Sequence, residues 1–265
     1  MGKSNLFDTQ LKTINVWWST SPAPGNFGDI LTPWLIKNIC GYTSIYKHRP
    51  FPAETLLGIG STIKFTNENT VVWGSGAMSQ DNIMNNKAEY LCVRGPRTQE
   101  LLEKQNILPP RIIGDPALLM PMYYYPKRGK RYKIGIFAHY VDTKQISEWY
   151  KHDNRIKIIN PLAADPTTIV DQLLECERII SSSLHGIIIS HAYNIPVAWA
   201  KHSNKLCGDD TKFHDHFECL DIKPEANMFY QIKTFEEMQS MTFTENTGFD
   251  ATPIAKVLQE KLNNE

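Results

Sequence analysis

The chain has 265 residues, 42% of them apolar, and its 28 basic and 28 acidic side chains cancel to zero formal charge. That length suits one large domain or two modest ones, and the neutral balance carries no electrostatic footprint for nucleic acid. Five cysteines at irregular spacing, with no CxxC, support neither a disulfide framework nor a zinc knuckle. Cys40, Cys92 and Cys176 lie in apolar surroundings and are expected as small core residues. The segment MGKSNLFDTQLK holds no apolar run of signal-peptide length, and Leu6 breaks the myristoylation pattern. No run reaches the roughly 20 apolar residues of a membrane span. A cytoplasmic protein is expected, peripheral to the inner face of the membrane at most.

In chain order, INVWW (Ile14–Trp18) predicts a strand, STSPAPGNFGD a loop and ILTPWLIKNIC a helix, its apolar residues recurring at helical spacing. LLGIGS and TVVWGSGA are short apolar runs ending in Gly and Ser, as buried parallel strands do where they open into loops. EYLCVRG predicts the next strand and PRTQELLEKQN a helix, with Pro96 in its first turn. RIIGDPALLM adds one more short strand. The alternation restarts after YYYPKRGKR: YKIGIFAHYVD and TKQISEWYKH, RIKIIN and PTTIVDQLLECE, RIISSS and LHGIIISHAYN, then the strand PVAWAK. KHSNKLCGDDTKFHDHFE (Lys201–Glu218) is polar and reads as a mobile loop at a cleft mouth; His202, His214 and His216 lack zinc-site spacing, so no metal is expected. TPIAKVLQEKLNNE predicts a helix with Thr252 as N-cap and Pro253 at its first position.

Repeated strand–helix alternation argues for parallel sheets with helices on both faces. Its restart argues for two Rossmann-like α/β domains facing a central cleft, residues 1–125 and 126–250, followed by a C-terminal helix over 251–265. The basic cluster Tyr125–Lys133 reads as an exposed linker. Ligands of such sheets bind beyond the carboxyl ends of the strands, which directs attention to the strand-end loops.

In APGNFGD, Asp29 is placed to cap a helix starting at Ile30, or to present a carboxylate to a sugar hydroxyl, with Asn26 beside it. Gly74 and Ser75 of VWGSGAM expose backbone N–H groups. Arg94 ends an apolar strand and is costly to bury without a partner. Arg97 opens a helix, where positive charge opposes the dipole. Both suit an anionic ligand, or an internal pair such as Arg94 with Asp115. His139 lies just past a strand, and Lys212 faces the expected cleft. In SSSLHG, one of Ser181, Ser182 and Ser183 caps the next helix. Leu184, His185 and Gly186 then form its first turn, where free N–H groups bind phosphate. A histidine there that gains a proton as an anionic substrate arrives would serve as general acid. His191, deeper in the helix, reads as core or as support behind the site.

The segments NFGDILTPWLIKNICG, VWGSGA, YLCVRGPRT, IIGDPALL, IGIFAHYVD, ISSSLHGIIISHAYNIP and GDDTKFHDHF occur in an order that resembles the polysaccharide pyruvyltransferase family. The resemblance implies a two-domain, GT-B-like fold. It also implies transfer of the enolpyruvyl unit of phosphoenolpyruvate onto two sugar hydroxyls, giving a cyclic pyruvate ketal. It casts Arg94 as a phosphoenolpyruvate contact and His185 as the general acid. Ser183 departs from the pattern, standing where many members have arginine; Arg97, His139, Lys201 or Lys212 would supply the missing charge. Phosphoenolpyruvate is then the donor substrate, with no cofactor. The acceptor is a sugar, lipid-linked oligosaccharides included. Two other readings stay open: a nucleotide-sugar-dependent glycosyltransferase on the same fold, and a non-catalytic glycan-binding relative.

Overall fold

The computed structural model describes residues 12–246 and 248–264. Its first half contains β1 (Thr13–Trp17), α1 (Phe27–Cys40), β2 (Thr43–Tyr46), β3 (Thr55–Leu57), β4 (Thr70–Trp73), β5 (Glu89–Val93), α2 (Pro96–Lys104) and β6 (Ile112–Ile113). A 3₁₀ turn at Pro116–Leu119 leads into the short α3 (Met120–Tyr123). The second half contains β7 (Tyr132–Phe137), α4 (Tyr140–Tyr150), β8 (Ile156–Ile158), α5 (Pro166–Leu174), β9 (Cys176–Ser181), α6 (Leu184–Ala192) and β10 (Val197–Lys201). It continues through α7 (Thr211–Cys219), β11 (Asn227–Met228), α8 (Phe235–Gln239) and α9 (Thr252–Asn263).

The strands assemble into two sheets, ordered β2-β1-β3-β4-β5-β6 and β11-β10-β9-β7-β8, and every pairing within them is parallel. Central strands such as β4 are buried along their whole length, which is why they read as unbroken apolar runs. Cys92 and Cys176 are in the core as expected, and Cys40 is half-buried. None of the described helices is long and apolar enough to cross a membrane.

Four readings need correction. The edge strand β2 was not foreseen, because TSIY is half-exposed and carries no continuous apolar run. The segment after Lys201 is loop only as far as Asp210; α7 follows, burying Phe213, His216 and Phe217. Charged and histidine residues hid that helical period. The first helix begins at Phe27 with Asn26 as N-cap, so Asp29 sits inside its first turn instead of capping it. In α9 the N-cap is Ala251, while Asp250 Oδ1 accepts the Thr252 N–H at 3.0 Å and its hydroxyl at 2.7 Å.

The two sheets do not stand apart. Phe27 N–H donates to Pro161 O (2.8 Å) and Ala163 N–H to Gly25 O (2.9 Å), stitching the start of α1 to the loop after β8. α9 crosses back to the first sheet, where Trp73 Nε1–H donates to Ile254 O at 2.8 Å. The strongest tie is polar. Arg94, at the end of β5, and Asp215, on α7, form an ion pair at 3.0 Å with both side chains fully buried. Asp215 also accepts the Thr98 N–H (3.0 Å) and hydroxyl (2.7 Å) at the start of α2. Its main chain packs so closely on Gly95 that a Cβ there would fall 2.0 Å from Asp215 O.

Stripping one partner from a buried pair leaves an uncompensated charge. Asp215→Ala is therefore expected to cost about 3–5 kcal/mol, read as a lower urea midpoint. Glu218→Ala, which breaks the half-exposed pair with Arg97, is expected to cost less than about 1 kcal/mol.

Candidate active site

The end of β9 is tied to the end of β7 by serines. Ser181 Oγ donates to Phe137 O at 2.9 Å and accepts the Ser183 N–H at 3.1 Å. Ser182 Oγ accepts the His139 N–H at 2.9 Å. Ser183 is the N-cap of α6 in extended conformation, yet its side chain makes no capping bond. The first N–H groups of α6 thus lack a side-chain cap, the arrangement that receives anions. Leu184 packs into the core and offers only its backbone there. Gly186 lets α6 lie against the sheet, since a Cβ would meet Phe137 at 2.2 Å and Ser181 Oγ at 2.4 Å.

His185 is 8% exposed and reaches out of the second lobe into the first. A Cβ on Gly28 would lie 1.9 Å from His185 Nδ1, so this glycine exists as clearance for the imidazole. On the other side His185 Nε2 stands 3.7 Å from Asp115 Oδ2, and neither atom has a hydrogen-bond partner among the described residues. Asp115 Oδ1 is engaged by the Ala117 N–H at 2.9 Å. Asp29 completes this wall. Its Oδ2 accepts from Asn26 Nδ2 at 3.0 Å, and burial pushes its carboxyl up, against the pull of the Asn26 bond and the His185 charge.

Arg94, Lys212 and the imidazole of His139 are further basic side chains expected at the site. Arg94 Nη1 donates to Ser61 Oγ (2.8 Å) and Nη2 to Ala77 O (2.6 Å); with Asp215 these occupy both terminal nitrogens and leave Nε unpaired. The carboxylate that neutralises Arg94 is thus Asp215, not Asp115, because α7 delivers it to the end of β5. Lys212, on α7 and 9% exposed, donates to Cys207 O at 3.3 Å and lies over the Phe213 ring, 5.3 Å from its centroid. Burial and then the Arg94 charge pull its ammonium down. His139 caps α4, its Nδ1 accepting the Val141 N–H at 3.5 Å. Burial, reinforced by Lys212, pulls it down to about 4. After burial, the Arg94 charge acts on Lys212 and the Lys212 charge on His139.

The remaining expected residues have other employment. Arg97 is bidentate on Glu218, with Nε at 3.0 Å and Nη2 at 2.6 Å, clamping α2 to α7. Lys201 pairs with Asp210. Ser75 is buried, its hydroxyl donating to Gly60 O at 3.0 Å and meeting Thr62 Oγ1 at 2.8 Å. Gly74 has φ 86° and packs on Pro116. Both shape the strand-end loops. His191 is core, with Nδ1 3.0 Å from His216 Nε2 and Nε2 3.0 Å from Thr244 Oγ1. No three metal-ligating side chains converge among the described residues. Sequence reasoning missed Asp215 and the clearance role of Gly28; the only local signal of Asp215 was its place beside the helical repeat Phe213/Phe217.

His139, His191 and His202 are each pulled down to about 4, chiefly by burial, and burial also pulls His216 well below the ordinary histidine value. The unfolded chain takes up these protons near pH 6.5 and the folded chain does not, so stability rises with pH across that window. Urea midpoints are expected to fall steadily from pH 6.5 to pH 4. In Lys212→Met the His139 titration, followed by its ring-proton NMR signal, should move up toward the ordinary histidine value.

Comparison with known proteins sets this geometry in a lineage. A family model described as polysaccharide pyruvyl transferase matches residues 40–204, a span that contains Arg94, His139 and His185. The uncharacterized protein L143 of Acanthamoeba polyphaga mimivirus is 32% identical over 216 residues, 77% of this chain and 74% of that protein. The succinoglycan biosynthesis protein ExoV of Rhizobium meliloti (strain 1021) is 24% identical over 209 residues, 75% of this chain but 62% of ExoV's length. With a match over more than half its length, the chain belongs to the polysaccharide pyruvyl transferase family.

Proposed function

We propose that the protein moves the enolpyruvyl unit of phosphoenolpyruvate onto two hydroxyls of one sugar, in a surface polysaccharide or its lipid-linked precursor. The products are a cyclic pyruvate ketal and phosphate. The observation that carries this reading is the imidazole of His185 at the uncapped start of α6, between Gly28 and Asp115. Family membership supports the reaction class, and the assignment of ExoV to succinoglycan biosynthesis supports a polysaccharide acceptor. Two parallel sheets with a last helix returning to the first are compatible with a GT-B-like architecture.

The chemistry divides among these groups. His185 protonates the methylene carbon of phosphoenolpyruvate, turning it into a methyl group and leaving oxocarbenium character at the adjoining carbon. A sugar hydroxyl adds to that carbon and loses its proton toward Asp29, whose raised affinity for protons suits a hydroxyl partner. A second hydroxyl of the same sugar then displaces phosphate and closes the ketal. Its proton leaves with the phosphate or returns to His185. The start of α6, Lys212 and His139 receive the donor's anionic groups. Arg94, sealed and paired with Asp215, adds its field from behind and keeps Lys212 electrically unsatisfied.

Phosphoenolpyruvate is expected to raise the melting temperature, because it binds the folded state alone, whereas UDP and CMP leave it unchanged. A shift with UDP or CMP instead would favour a nucleotide-sugar glycosyltransferase. With a glycoside acceptor, His185→Gln is expected to lose roughly 10²–10⁴-fold in phosphate release with an unchanged circular dichroism spectrum. Wild-type turnover in that variant would remove His185 from the mechanism.

A further inference from the structure

The carboxyl edge of the first sheet extends past the residues used so far. Strand order runs β5, β4, β3, β1, β2, so Arg94 follows β5, Ser75 follows β4, and Asp29 Oδ1 lies against Gly60 just past β3. Beyond them, at the ends of β1 and β2, three rings meet edge to face: Trp18 on Tyr46 (centroids 4.9 Å, 80°) and Tyr46 on His48 (5.0 Å, 89°). Trp18 and Tyr46 are half-buried and His48 is exposed. Neither Trp18 Nε1 nor Tyr46 Oη bonds to another described residue, and neither is sealed from solvent. The neighbouring tryptophans differ: Trp17 and Trp73 are buried, and Trp34 packs on Tyr124.

We propose that Trp18, Tyr46 and His48 form a subsite for the second sugar ring of an oligosaccharide acceptor, the first ring lying at Asp29 and His185. The proposal rests on the pyruvyl-transfer reading of the site. Half-buried aromatic rings present a flat apolar face together with a polar handle, which matches the C–H face and the rim hydroxyls of a pyranose. The geometry favours a chain over a single sugar. Adjacent strands lie about 4.8 Å apart, so the edge from Asp29 past β3 to the end of β2 spans roughly 10 Å, more than one pyranose ring can cover. The β1–α1 loop joins both ends of this track, because Trp18 opens it and Asn26 closes it into the first turn of α1, where Gly28 faces His185.

The test measures binding without phosphoenolpyruvate. Saturation-transfer NMR is run with methyl galactoside, glucoside and mannoside, and with the β-linked disaccharides of the same sugars. Wild-type protein is expected to bind at least one disaccharide more tightly than its monosaccharide. Trp18→Ala should weaken the disaccharide at least about tenfold and leave the monosaccharide and the phosphoenolpyruvate melting shift unchanged, while Trp18→Phe retains most of the affinity. Tyr46→Ala, at a ring that packs against a different apolar cluster from Trp18, repeats the test should Trp18→Ala lose its fold. Unchanged disaccharide affinity in both alanine variants overturns the subsite, as does absence of disaccharide binding to wild type. A missing phosphoenolpyruvate shift with intact sugar binding counts instead against the donor assignment.

Discussion

A guanidinium buried without water must be given a carboxylate, and much of the arrangement around the site follows from how Arg94 is given one. β5 delivers Arg94 into the space between the lobes, and α7 brings it an acid, Asp215, at 3.0 Å. Because the partner comes from the other half of the chain, neutralising one charge also docks α7 on α2 and closes the two sheets together. Thr98 takes the remaining capacity of Asp215, so the pair is built into a network. Such satisfaction is what makes a buried ion pair tolerable.

The same docking creates the imbalance that suits the site to anions. α7 carries Lys212 as well as Asp215, and Asp215 is spent on Arg94. Lys212 is left with a carbonyl and the face of Phe213, and its charge lowers the proton affinity of His139. The uncapped start of α6 adds a partial positive charge of its own. Against this field stand Asp29 and Asp115, on either side of the His185 ring. In the proposed reaction His185 would carry the proton, with these carboxyls as acceptors and Lys212 toward the donor's anionic groups.

Close backbone approach gives the site its shape. Gly28 brings α1 against the imidazole, Gly186 brings α6 against the sheet, and Gly95 admits α7 to the end of β5. None of the three needs an unusual φ; each is small because another atom occupies the place of its Cβ.

Alternating apolar runs and helical periods were sufficient to predict two parallel sheets, because strands buried on both faces must be continuously apolar. The strand-end position of Arg94, His139 and His185 was legible for the same reason. Edge strand β2 and helix α7 were not, since half-exposed or charge-rich segments hide their periods until packing shows which face is covered. Local sequence therefore determined the elements and the chemical groups at their ends. Only the tertiary structure decided that Asp215 and not Asp115 answers Arg94, that Arg97 is spent on Glu218, and that Gly28 faces His185. Those pairings join residues far apart in the chain, and distance along a chain carries no record of which charges will share a dry interior.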